Sequence, residues 1–179
     1  MSYFPEVNRS PSDSRNLLRF AVVLLSCFAI CAILYFVFRR SDVLEPFLAF
    51  NARVSSFAVR LFGGNAQADG VFILSGRNSF QVITECTSLI PTAIFVSAVV
   101  AWQSSFRDKL IGLGVGIPLL FVINIARIIS LLYVGSAFPN YLDIAHFYVW
   151  QALLIIITVG LWVLWAEKIA HSPSPRSLI

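Results

Sequence analysis

The sequence predicts an all-α integral membrane protein: about four transmembrane helices, an interfacial amphipathic helix and a small β-hairpin on the outer face. Three observations carry this. Of 179 residues, 58% are hydrophobic and 12% charged, where a soluble domain carries roughly a quarter charged; the mean hydropathy is +0.82. The apolar residues fall into long runs divided by short polar turns. One segment departs from this, because its apolar residues recur at helical spacing with polar residues between them.

In chain order, residues 1–16 are polar, contain Pro5 and Pro11, and read as a disordered cytoplasmic tail. Residues 17–38 form the first span, near the roughly 20 apolar residues a bilayer core requires. This run ends in Arg39-Arg40 with no small-residue cleavage site, so it is expected to be a retained helix rather than a signal peptide. In residues 41–62, Phe47, Phe50, Val54, Phe57 and Leu61 alternate with Asn51, Arg53, Ser55 and Arg60, the pattern of a helix lying in the interface. Gly63-Gly64 stops it. Val71–Leu74 and Phe80–Thr84 are β-prone runs about a polar turn, predicting a hairpin over 71–84.

The second span is placed at 86–102, with Thr87 or Ser88 as its cap and Pro91 in its first turn or so. The third is placed at 110–134, with Pro118 as a kink. The loop from Gly135 to Ala145 holds Asn140 and Asp143 in a capping-box spacing, and the fourth span follows at 147–165. Residues 167–179 are a polar, Pro-rich cytoplasmic tail.

Orientation follows from the basic residues. Arg107 and Lys109 lie between spans two and three, and no Lys or Arg lies between spans three and four. The first turn is therefore cytoplasmic and the second outside. Arg9, Arg15 and Arg19 agree. Arg39, Arg40, Arg53, Arg60 and Arg77, in the long loop before span two, disagree.

This topology brings three polar residues to the outer face. Cys86 and His146 open spans two and four, and Arg127 lies about 10 Å below the outer end of span three. His171, beyond span four, is excluded. An arginine deep in a helix is unfavourable by about 2.5–3.5 kcal/mol, so Arg127 must face the bundle interior, a wet cavity or the headgroups. Asn124, one turn earlier, offers it a polar companion. A snorkelling anchor is the structural alternative.

Cys86 at a helix N-terminus, near an arginine, is placed for a lowered thiol pKa and a nucleophilic thiolate. Glu85 beside it works in the opposite sense unless it points away or pairs with Arg127. The plainer account of Cys86 is a small buried residue. His146 carries protons near neutral pH, with Asp143 placed to orient it; with Phe147, Tyr148 and Trp150 it also fits an aromatic belt. Cys27 and Cys31 share a face of the first span and read as packing residues.

Three segments carry a resemblance: Glu85-Cys86-Thr87-Ser88, Asn124 through Ser130, and Ala145 through Ala152. They resemble the signature regions of the exosortase/archaeosortase family, most closely the short exosortase H type, over roughly residues 40–165. The resemblance implies a multi-spanning enzyme of the bacterial inner membrane; the orientation read from the basic residues puts both termini in the cytoplasm and the site outward. It would process exported proteins bearing a C-terminal sorting motif, a hydrophobic helix and a basic tail. It assigns the catalytic set to Cys86, Arg127 and His146; Asn124, Glu85 and Asp143 are read as supporting residues from their positions beside these three. No cofactor or metal is implied. Family members usually follow the Cys with a small polar residue and then Gly; here Ser88 stands in the place of that Gly.

Other function classes fare less well. No basic tract of the nucleic-acid-binding kind is present. No repeat points to a transporter, and no Ser motif to a serine intramembrane protease. The competing reading is a non-catalytic membrane scaffold or accessory subunit, in which Cys86, Arg127 and His146 form a structural polar cluster.

Overall fold

The computed structural model describes residues 11–39, 41–76 and 78–170. The expectations for residues 1–10, for 171–179 and for His171 lie outside them. The chain is mostly helical, with one small sheet. The helices are α1 (Pro11–Phe38), α2 (Glu45–Leu61), α3 (Leu89–Ala101), α4 (Phe106–Ala137), the short α5 (Leu142–Ile144) and α6 (Trp150–Lys168). The strands are β1 (Gln67–Asp69), β2 (Phe72–Ser75) and β3 (Asn78–Gln81).

Among the described residues, three helical stretches are long and apolar enough to cross a membrane: Arg15–Phe38, Phe106–Ala137 and Pro139–Lys168. Many of their large apolar side chains are exposed, Leu25, Ile33, Val115, Val122 and Ile156 among them. This is the pattern of a surface that meets lipid. α3 is apolar but only 13 residues long.

α1 packs on α3, and α3 on α4 and α6. Phe95, Val99, Leu120 and Trp165 form the core where the last three meet. Small residues let the helices close up: a Cβ at Gly112 would run into the Trp165 indole, and one at Gly116 into the Phe95 ring. Trp165 Nε1 donates to the Asp108 carbonyl at 2.9 Å, fixing α6 to the start of α4. Ser105 caps α4, its hydroxyl accepting from Asp108 N–H at 3.2 Å.

A second core joins α2 and the sheet to the far half of α4, through Ala52, Val59, Ile73, Val82, Ile125, Ile128 and Leu132. Here α2 differs from a helix sorted into an apolar inside and a polar outside. Its buried face is Asn51, Ala52, Ser55, Ser56 and Val59, while Phe50, Phe57 and Leu61 are exposed. Small and polar residues allow close approach to α4, and the large apolar ones turn outward; Phe50 stacks on Phe121 at 5.7 Å.

Several boundaries move from the sequence reading. α1 starts at Pro11, not at residue 17, since proline is tolerated in a first turn. The 71–84 hairpin is part of a three-stranded antiparallel sheet in the order β1-β2-β3. Ser75 pairs with Asn78, so the turn between them is tighter than expected, with Gly76 at φ +62°. α3 starts at Leu89 rather than residue 86, and Thr84–Cys86 forms a 3-10 turn ahead of it. The expected loop after α4 is itself helical: Pro139–Tyr141 is a 3-10 turn, followed by α5, and Ala145–Val149 is a π turn leading into α6. Asn140 and Asp143 form no capping box, because the chain is already helical through them.

Candidate active site

Cys86 ends the 3-10 turn between β3 and α3. Its N–H donates to the Ile83 carbonyl at 2.9 Å, and the next N–H, of Thr87, to the Thr84 carbonyl at 3.1 Å. The Thr87 hydroxyl closes on the same Thr84 carbonyl at 2.6 Å. Thr87 and Ser88 are 4% and 5% exposed, so the turn is pinned from beneath. Ser88 has φ −82° and ψ 14°. Any L residue adopts that backbone, so glycine there would add only room. Neither Thr87 nor Ser88 caps α3 with its side chain.

The Cys86 Sγ lies 3.4 Å from His146 Nε2, a hydrogen-bonding distance for sulfur. With the imidazole protonated on Nδ1, the thiol donates to Nε2. His146 is buried, sits in the π turn and packs against the Phe147 ring at 4.5 Å. Asp143 lines the same cavity as His146 and Cys86 but, among the described residues, makes no hydrogen bond to the imidazole.

Arg127 comes from the middle of α4 and is 1% exposed. Its Nε and Nη1 are buried without a hydrogen-bond partner among the described residues. Its charge acts on the Cys86 thiol, lowering the thiol pKa. Asn124 does not bond to Arg127. Its amide donates instead to Asn51 Oδ1 of α2 at 3.4 Å, and its own carbonyl oxygen has no partner among the described residues. Glu85 pairs with Arg39, just beyond α1, at 3.3 Å.

The thiol is not activated as the sequence reading expected. Burial raises the Cys86 pKa above its ordinary value, and Glu85 adds slightly to this. The Ile83 backbone hydrogen bond and the Arg127 charge offset only part of it. The physical reason is burial, which outweighs the Arg127 charge; Cys86 also precedes α3 rather than opening it. The resting group is a neutral thiol with a base 3.4 Å away.

Two cavities meet at this pair. One of about 300 Å³ is lined by Ser79, Gln81, Ile83, Cys86, Asp143 and His146. The other, of about 180 Å³, is lined by Thr84, Glu85, Thr87, Arg127, His146 and Gln151. His146 belongs to both, Cys86 to the first and Arg127 to the second. The π turn widens the helix by one residue, so His146 and Gln151, at i and i+5, face one cavity. A third feature is an apolar groove of about 500 Å³ between α1 and α3. It includes Cys31, Tyr35 and Leu89, and reaches Ile90, which also lines the Arg127 cavity. No group of three His, Cys, Asp or Glu among the described residues could hold a metal ion.

Sequence reasoning did not single out Asn51, Arg39 or Gln151. Asn51 and Gln151 carried a signal, as amides in apolar surroundings. Arg39 carried none beyond its charge.

The family model described as transmembrane exosortase, of the EpsH type, matches residues 12–165 of the chain. Neither a curated protein nor a solved structure matches it.

Proposed function

The chain belongs to the transmembrane exosortase family, and on that footing we propose that it is a membrane-embedded cysteine peptidase or transpeptidase acting on the C-terminal sorting signal of exported proteins. The observation that carries this reading is the 3.4 Å contact between Cys86 Sγ and His146 Nε2, beside a buried arginine with unpartnered donors. A structural polar cluster would satisfy its own hydrogen bonds, since an unmet buried donor costs about 1–3 kcal/mol. Arg127 is left with two unmet among the described residues.

In the proposed reaction, His146 Nε2 takes the Cys86 proton as the sulfur attacks the scissile carbonyl carbon. The tetrahedral oxyanion is stabilised by the Arg127 guanidinium. As the C–N bond breaks, His146 returns its proton to the leaving amine, and a thioester remains on Cys86. Water or an amine acceptor, deprotonated by His146, then attacks the thioester carbon. The product carboxylate or amide departs and the thiol is restored. Asn124 supports α4 through Asn51 rather than touching the reacting groups. Glu85 is neutralised by Arg39, and Asp143 tunes the cavity around His146.

The proposed placement has α1, α3, α4 and α6 as four spans of a bacterial inner membrane. Both termini are cytoplasmic, and the sheet and the Cys86 turn face outward. The charge pattern of the turns supports this. The groove between α1 and α3 is where the hydrophobic helix of a substrate would approach the site.

The test is Cys86→Ala, with C-terminal processing of a co-produced exported protein followed at matched enzyme levels. Processing should cease; normal processing overturns the reading. Orientation is read from a membrane-impermeant maleimide on intact cells in a Cys27→Ala/Cys31→Ala background. Labelling of Cys86 only after cell rupture would reverse the proposed sidedness.

A further inference from the structure

We propose that the open edge of β3 is the docking strand for the substrate. The extended segment adjoining the scissile bond pairs with Ser79 and Gln81 through main-chain hydrogen bonds, and is led along Ile83 to Cys86. This rests on the reading of Cys86 as a peptidase nucleophile and adds how the peptide is held.

The ladder geometry fixes which groups are free. β3 is at the end of the order β1-β2-β3, and β2 opposes Phe72 to Gln81 and Leu74 to Ser79. Continuing that register, Val82 N–H donates to the opposed Val71 carbonyl at 2.9 Å. Opposed residues of an antiparallel pair alternate between bonded and non-bonded. Val71/Val82, Ile73/Phe80 and Ser75/Asn78 are therefore the bonded pairs. The N–H and C=O of Ser79 and Gln81 point away from β2. Both residues are exposed, and no other backbone group among the described residues pairs with them.

Folded proteins usually cover or blunt such an edge. At the opposite end of the sheet, β1 packs on α2. The β3 edge is left open where it borders the 300 Å³ cavity that also holds Cys86 and His146. The strand runs from Gln81 through Ile83 directly into the Thr84–Cys86 turn, so edge and sulfur belong to one continuous wall. The facing wall is helical, from Leu142, Asp143 and His146, and offers no competing strand. Strand addition takes affinity from main-chain bonds and selectivity from alternate side chains, which suits a chain presented in extended form just outside its membrane helix.

The substrate is identified first, as an exported protein that loses a hydrophobic C-terminal helix only in cells carrying the active chain. A peptide spanning its cleavage site is then the probe. Gln81→Pro deletes one edge N–H without touching the β2 ladder. Proline is accepted at edge positions, and the extended Phe80 before it suits the residue preceding a proline. KM should rise about tenfold for the lost bond, with kcat within about threefold. On the wild-type enzyme, N-methylation of the peptide should raise KM at every second residue and leave the residues between unaffected. Unchanged KM for Gln81→Pro, or indifference to N-methylation at every position, overturns the docking strand. A Gln81→Pro protein whose Cys86 no longer reacts with iodoacetamide at the wild-type rate is misfolded, and the N-methyl series on the wild type then decides. If no exported protein changes, or Cys86→Ala processes the same protein, the peptidase reading itself fails, a result separate from any edge effect.

Discussion

Glu85 pairs with Arg39 at 3.3 Å although it lines the same cavity as Arg127. The acid next to the candidate nucleophile is thus answered by a cation at the end of α1, and two Arg127 nitrogens have no hydrogen-bond partner among the described residues. Both members of the pair are more than a third exposed. Such pairs contribute about 0–1 kcal/mol, so Arg39→Gln should leave the thermal midpoint within a few degrees of wild type. Its effect should appear at Cys86, where an uncompensated Glu85 disfavours the thiolate. Iodoacetamide should alkylate Cys86 more slowly in Arg39→Gln and faster in Glu85→Gln at the same pH. Equal rates in all three proteins would show the pair to be irrelevant to the thiol.

Burial holds the Cys86 thiol above its ordinary pKa. The fraction ionised at neutral pH is therefore smaller than for a free thiol, and alkylation should reach half its maximum at a more alkaline pH than a small-molecule thiol does. Arg127 lowers the Cys86 pKa, so Arg127→Met should displace the profile further to the alkaline side. The linkage has the same sign: the folded state favours the proton, and stability from the neutral buried thiol is lost as pH rises through the folded-state value. A wild-type profile centred below that of a free thiol would contradict this account and restore a resting thiolate.

Arg127 separates stability from turnover. Taking a charge out of water without a full set of partners costs several kcal/mol, a penalty that an apolar side chain of similar length does not carry. Arg127→Met should therefore unfold at or above the wild-type temperature while substrate processing falls by about 10²-fold or more, the usual scale for losing an oxyanion donor. Arg127→Lys should also be strongly impaired, because an ammonium does not reproduce the planar fork. Near-wild-type processing by Arg127→Lys would rule out a two-nitrogen role.

Asn51 and Asn124 join α2 to α4 through a buried amide pair at 3.4 Å. Replacing either by Leu should lower stability by about 1–3 kcal/mol, since one buried amide is stranded. Replacing both should cost less than the sum of the two. A double-mutant cycle of thermal unfolding in detergent measures this; strict additivity would mean that the two side chains do not interact.

The parts of the site visible in the sequence were those whose chemistry is expensive in an apolar chain. Arg127 and His146 stood out because charge and imidazole in apolar segments require a reason, and Cys86 because polar residues surround it. Asn51 was passed over despite its amide because its helix obeys an apolar period at Phe50, Phe57 and Leu61, which says where the greasy face is but not whether that face meets protein or lipid. Here the opposite face packs on α4. The Arg39–Glu85 pair spans 46 positions in sequence and leaves no periodic trace. The π turn at Ala145–Val149 is a one-residue insertion in a helix, which propensity does not register. β1, of three residues, is too short for alternation to mark.

The shortness of α3 sets a height. Thirteen residues rise about 20 Å, against about 30 Å of hydrocarbon in an ordinary bilayer. With α3 as one of the spans and its inner end at the cytoplasmic boundary, the Thr84–Cys86 turn seated on its outer end is sunk some way beneath the level at which its longer neighbours emerge. On the proposed placement the sulfur would work as a depth gauge: it would reach a peptide bond lying at the mouth of the bilayer, where a hydrophobic helix gives way to polar chain, and would miss bonds carried higher on a longer stalk. Selection among exported proteins would in that case depend on how many residues separate the cut from the greasy helix, as well as on what those residues are.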